Sequence, residues 1–167
     1  MILTKNEIKG LFGRYRDAVR YIKGINEGHI SNQRIKQVQF PSNLTESYIY
    51  HYLLQNPHLI NQNKISPTQL SLGSFTTYDI ICNVSPPINI EVKGTGTNGF
   101  QGFRVHSLTS NYVFWINLNS DLQFDLAVFN PKILLPVRNK NGEVLISWKK
   151  LLGGYINNIT LIKNISV

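Results

Sequence analysis

Ile8, Leu11, Phe12, Tyr15, Val19 and Ile22 recur at the three- and four-residue spacing of one helix face, and Thr4 with Glu7 forms a capping box ahead of them. The pattern predicts an amphipathic helix that ends at Gly24. Residues 24–41 are polar and irregular, as a connection would be. Asn43 and Glu46 then open a second predicted helix, which stops before Pro57 because a proline pushes the preceding residue out of helical backbone. From there the period changes to two. Alternation and β-branched residues predict strands at 68–72, 79–84, 88–93, 112–118 and 125–129, and the last third reads as a short strand, a helix around 148–152 and a final extended piece. Two helices, a meander of strands and then mixed elements describe an α/β (α+β) chain, with a central mixed sheet flanked by helices. The expected organisation is a single domain over 1–167: a basic helix and connection in 1–41, a core in 42–130 and a strand–helix extension in 131–167.

Composition narrows the class. With 42% hydrophobic and 16% charged residues the chain is globular, and no apolar run is long enough to span a bilayer, so no membrane partner is expected. The opening "MILTKNEIKG" turns polar too soon for a secretory signal, and one cysteine, Cys82, precludes an internal disulfide. Both point to the cytoplasm. The net charge of +8 suits a protein that meets phosphate backbones. Residues 1–40 carry eight bases, among them Arg14, Arg16 and Arg20, against three acids, which fits either a nucleic-acid contact or a solvated helix face.

The chemistry concentrates in "INIEVKGTG". Ile88, Ile90 and Val92 alternate with Asn89, Glu91 and Lys93, so one face of this strand is apolar and the other polar. Its predicted neighbour, "DIICNV", is separated by Ser85-Pro86-Pro87, a loop of hairpin length. If Val84 pairs with Ile88, Cys82 faces Ile90 and Ile80 faces Val92, and the apolar face is continuous. Asp79 then lies across from Lys93 and diagonal to Glu91, within about 7–8 Å between backbones. A one-residue slip would destroy both features. Two carboxylates at one strand end raise each other's pKa unless a cation sits between them. Mg²⁺, with Mn²⁺ as a substitute, takes one or two carboxylates and keeps other positions for water and phosphate, as Asp79 and Glu91 would allow. Lys93 would serve the attacking water or the phosphate.

Asp79, followed after eleven residues by Glu91-Val92-Lys93, resembles the PD-(D/E)XK nuclease superfamily, with Tyr78 where the family name has proline. The resemblance covers about residues 42–130 and implies a restriction-endonuclease-like fold with a catalytic hairpin. It also implies a further glutamate from the preceding helix, which Glu46 matches; the same residue equally suits a helix cap. Within the superfamily the chain looks most like a small type II restriction endonuclease, which implies Mg²⁺-dependent hydrolysis of double-stranded DNA by a homodimer. A nuclease for four-way junctions or repair, and a non-catalytic DNA-binding protein of the same fold, remain alternatives.

Gly94-Thr95-Gly96-Thr97-Asn98-Gly99 also spells a dinucleotide-binding fingerprint, with Asp121 downstream. The half-polar strand before it and the missing helix start after it argue against that reading and against an organic cofactor. Between Gly94 and His106 the chain instead offers Thr95, Thr97, Asn98, Gln101, Arg104 and His106, with glycines that would let the backbone approach DNA. Asn98, Gln101, Arg104 and His106 are the candidates for base contacts, and Arg14, Arg16 and Arg20 for phosphates; an ordinary surface loop is the alternative.

Overall fold

The computed structural model describes residues 2–27, 29, 40–73, 78–96 and 99–166. Helix α1 (Lys5–Asn26) starts at the expected capping box, with Glu7 N–H donating to the Thr4 hydroxyl at 3.3 Å and Thr4 N–H to the Glu7 carboxylate at 2.7 Å. It runs past Gly24, whose carbonyl, with that of Lys23, accepts from Glu27 N–H. Its buried stripe is Ile8, Phe12, Tyr15 and Val19, while Leu11 lies off that stripe and is exposed. Helix α2 (Ser42–Gln55) follows Pro41, and no side chain caps it. Leu44, Thr45, Ser47, Tyr48, Ile49, Tyr50 and Leu53 are all buried, so α2 is enclosed on more than one side.

The main sheet has six strands in the order β1 (Leu70–Leu72), β2 (Ile80–Cys82), β3 (Ile88–Thr95), β5 (Tyr112–Leu118), β6 (Phe124–Phe129) and β8 (Ile159–Ile162). Strands β4 (Phe100–Phe103) and β7 (Val144–Ser147) form a separate two-stranded sheet, and helix α3 (Trp148–Tyr155) follows β7. All main-sheet pairs are antiparallel except β3 with β5. The sheet is therefore mixed, as expected, but the strands do not form a simple meander. The segment leaving β3 crosses through β4 before returning as β5, a parallel connection that local periodicity does not encode.

Three layers result. On one face of the sheet α1 and α2 bury Phe12, Ile49 and Leu53 against Ile90, Phe114 and Ile116. On the other face β4, β7 and α3 bury Phe103, Ile146 and Leu151 against Val113, Trp115 and Phe129. Strands β5 and β6, covered on both sides, are buried along nearly their whole length, with Asp125 the one charged residue of β6. Among the described residues no helix is long and apolar enough to cross a membrane.

Two expectations about glycines change. Gly94 continues β3 beneath α2, where a Cβ would come within 2.7 Å of the Thr45 side chain, so its role there is close helix–sheet packing. Gly99 is similarly tight, at 2.4 Å from Thr95 Cβ. Among the described residues the element that follows β3 is strand β4 rather than a helix.

Candidate active site

The hairpin of β2 and β3 is in place, with its register shifted by two residues from the expected one. Ile80 pairs with Ile90, Ile81 with Asn89 and Cys82 with Ile88. A shift of two preserves the parity of side-chain faces, so Ile80, Cys82 and Ile90 still share the buried face. It changes the position of the acid: extending the ladder by one residue sets Asp79 opposite Glu91 instead of Lys93. Because β2 begins only at Ile80, its ladder gives β3 no backbone partner beyond Ile90 among the described residues. Asp79 supplies one with its side chain, its Oδ2 accepting from Val92 N–H at 2.7 Å.

Glu91 is buried, at 3% exposure. Its Oε1 accepts from Lys93 Nζ and, at 2.8 Å, from the Ser107 hydroxyl, whereas its Oε2 is buried with no hydrogen-bond partner among the described residues. An orphaned carboxylate oxygen in such a place is costly and calls for a cation or a donor from outside the chain. The carboxyl of Asp79 is pushed above its usual range by burial first and by the Glu91 charge second, opposed by the Val92 N–H, Lys93 and His106. Glu46 is raised too, by burial and then by the charges of Asp79 and Glu91, with Lys93 opposing. Three acids thus share one electrostatic neighbourhood. Since α2 starts at Ser42 without a side-chain cap, Glu46 is no capping residue.

These donors suit Mg²⁺: hard carboxylate oxygens, one of them unpartnered, in mutual repulsion. Among the described residues no three His, Cys, Asp or Glu side chains converge into a ready-made metal cluster. Mg²⁺, which retains several waters and takes one or two carboxylates, does not require one.

The raised carboxyls set the pH dependence. A native carboxyl with a raised pKa holds its proton where the unfolded one has lost it, so its contribution to stability is present below the unfolded value and vanishes as pH rises through the folded value. With EDTA, the melting temperature is expected to fall as pH climbs from the ordinary carboxylate range through the raised range of Asp79 and Glu46. Asp79→Asn should flatten that slope; an unchanged slope in Asp79→Asn with Glu46→Gln would show that these carboxyls are not raised in the fold.

Ser107 was not legible as a site residue. It lies in a 3-10 turn (Ser107–Thr109), 1% exposed, and its carbonyl accepts from the Ser110 hydroxyl at 2.9 Å. Nothing in "RVHSLTS" marks this serine; only the fold brings it to Glu91. By occupying Oε1, Ser107 and Lys93 leave Oε2 as the free oxygen. Ser107→Ala is expected to weaken Mg²⁺ binding by about 10–100-fold, the usual effect of losing a partner that orients a ligand. Titration with Mn²⁺ by electron paramagnetic resonance checks it, and an unchanged affinity would refute the role. Tyr78, which stands at the proline position of the resembled motif, shares a 3.0 Å hydrogen bond with Thr109 Oγ1 and so ties the approach to Asp79 to this same turn.

The expected base readers separate. Asn98 and Thr97, like the basic residues Arg34 and Lys36, lie outside the described residues. Thr95 is buried, accepting from Trp115 Nε1 and donating to Asn117 Oδ1, both at 2.8 Å, so it is unavailable to DNA. Gln101 lies on β4 and donates its amide to the Gly94 carbonyl at 3.0 Å. Arg104 is exposed just after β4, and His106, half-buried at the head of the 3-10 turn, acts electrostatically on Asp79. On α1, Arg14 is exposed, Arg20 pairs with Asp17 at 2.9 Å and Arg16 sits 5.9 Å over the Phe124 ring. None of these contacts joins the three arginines to the acids.

Comparison with known proteins adds no relative to this geometry: no family model matches the chain, and no curated protein matches it.

Proposed function

We propose that the chain is a Mg²⁺-dependent nuclease that hydrolyses phosphodiester bonds of double-stranded DNA. The observation that carries this reading is the buried Glu91 with its unpartnered Oε2, set beside Asp79 and Glu46 and bridged through Oε1 to Lys93. Asp79 and Glu91 would hold the ion, with Glu46 in the same electrostatic neighbourhood. When bound, it supplies positive charge to phosphate oxygens and lowers the pKa of a coordinated water. Lys93, held on Glu91, keeps its ammonium within the site, where it donates to the attacking water or to a phosphate oxygen as negative charge develops. The Val92 N–H holds Asp79 in place, and Ser107 orients Glu91. The net charge of +8 favours approach to a polyanion.

Sequence-specific cutting by a homodimer, as in type II restriction endonucleases, is the substrate reading that follows from the resemblance. Thr95 and Gln101 are engaged inside the protein, which leaves fewer side chains for base readout after β3 and favours, as a second reading, a nuclease for branched DNA. The test is incubation of the chain with supercoiled plasmid, linear duplex and a four-way junction, each in Mg²⁺ and in EDTA. Discrete cutting of plasmid and duplex in Mg²⁺, absent in EDTA, is expected. Cutting restricted to the junction selects the second reading. DNA binding without cleavage in Mg²⁺ or Mn²⁺ overturns both in favour of a binding protein.

A further inference from the structure

A cavity of about 590 Å³ lies between the start of α1, the C-terminal half of α2 and residues 162–166, and none of the candidate catalytic residues lines it. Its wall is rich in hydrogen-bond donors. Lys5 and Lys9 enter from α1, Lys163 from the segment after β8, and Tyr52 and Gln55 from one stripe of α2. No Asp or Glu is part of the wall. The ion pairs among the described residues are Arg20 with Asp17 and Lys93 with Glu91, so none of the three ammonium groups has an ion-pair partner among the described residues. Glu7, the acid nearest to them in sequence, is folded back onto Thr4, accepting from its N–H and its hydroxyl at 2.7 Å each. Three cations round one concavity raise the local potential and select an anionic ligand.

The floor adds a second requirement. The Tyr48 and Tyr52 rings stack with centroids 5.5 Å apart. Tyr48 spends its hydroxyl on the Ser166 carbonyl at 3.1 Å, while Tyr52 and Gln55 have no side-chain hydrogen bond among the described residues. Burial holds the Tyr52 phenol above its usual range, so it remains a donor. Half-buried Tyr52 therefore offers a ring and a hydroxyl, and Gln55 offers an amide with both a donor and an acceptor. A lone small anion would satisfy the lysines and leave these unused. We propose that the cavity binds a nucleoside monophosphate, its phosphate among Lys5, Lys9 and Lys163, its base against Tyr52 and the base edge at Gln55. The site is separate from the acids of the nuclease reading and does not depend on it.

The test is an amide chemical-shift titration of the full chain in EDTA at low salt, with inorganic phosphate, thymidine and thymidine 5′-monophosphate as separate probes. The nucleotide is expected to shift the amides of Lys5, Lys9, Tyr52 and Lys163 saturably, and to bind about tenfold or more tighter than phosphate, the gain that one stacked base gives. Lys9→Glu with Lys163→Glu should weaken the nucleotide by at least about tenfold at an unchanged melting temperature, since both side chains are exposed. No saturable shift at millimolar nucleotide, shifts confined to the amides around Glu91, or equal binding of phosphate and nucleotide would each overturn the assignment.

Discussion

Asp79→Asn and Glu91→Gln are expected to lower Mg²⁺-dependent cleavage of duplex DNA by roughly 10³-fold or more while leaving binding of uncut DNA within a few-fold of wild type. The expected size follows from several kcal/mol of transition-state charge stabilisation supplied at a metal centre, each 1.36 kcal/mol being about tenfold in rate. Both substitutions keep shape and remove charge. Asparagine at position 79 can still accept from Val92 N–H, so the free edge of β3 remains capped and the fold is retained. In EDTA, Asp79→Asn is expected to melt no lower than wild type at neutral pH, because it removes the desolvation cost of the buried charge and then the repulsion from Glu91. Loss of cleavage together with retained stability is the signature of an acid kept for chemistry at the expense of the resting fold. Cleavage by either variant at the wild-type rate would remove these two carboxylates from the mechanism; cleavage lost together with the fold would remove the claim that Asp79 is dispensable for stability.

Trp115→Ala is expected to destabilise the protein by about 3–5 kcal/mol, the range for removing a fully buried large aromatic. Trp115 has no exposed surface and stands at the centre of the layer beneath β4 and α3, edge-to-face with Phe103 at 5.9 Å and with Trp148 at 5.3 Å. Its indole N–H donates to Thr95 Oγ1, which donates in turn to Asn117 Oδ1. Deleting the ring therefore opens a cavity and leaves Thr95 without one of its two partners. Domains of this kind are stable by about 5–15 kcal/mol in total, so a large share of the fold's stability is at stake. Trp115 also pairs with Lys93 across the parallel ladder, which makes the same layer the support of the candidate lysine. Denaturant midpoints at constant slope measure the loss. Thr95→Val, which removes only the hydroxyl and its two bonds, should lose less, about 1–3 kcal/mol; a Thr95→Val protein with full stability would show that these two bonds do not support the fold.

Local alternation determined much of this protein. Period-two spacing in 88–93 assigned Ile90 and Val92 to the core and Glu91 and Lys93 to the opposite face, and any even shift in pairing leaves that assignment intact. The capping box at Thr4 and Glu7, and the run of β5, were equally readable, because each is specified by residues only a few positions apart. What tertiary structure alone decided is the meeting of distant segments. The two-residue offset that sets Asp79 against Glu91 depends on how the loop at 83–87 closes and on the ladder β2 can make, which strand alternation does not specify. Ser107 reaches Glu91 across sixteen residues, and Glu46 comes from α2 into the field of the other two acids, neither of which carries a local signature. The polar loop expected to read DNA turned out to be partly the end of β3 and a strand of a second sheet, with Thr95 buried and Gln101 engaged. Polar residues in a glycine-rich stretch look solvent-facing in sequence, and only the layer packed over them reveals which have become the protein's own internal hydrogen bonds.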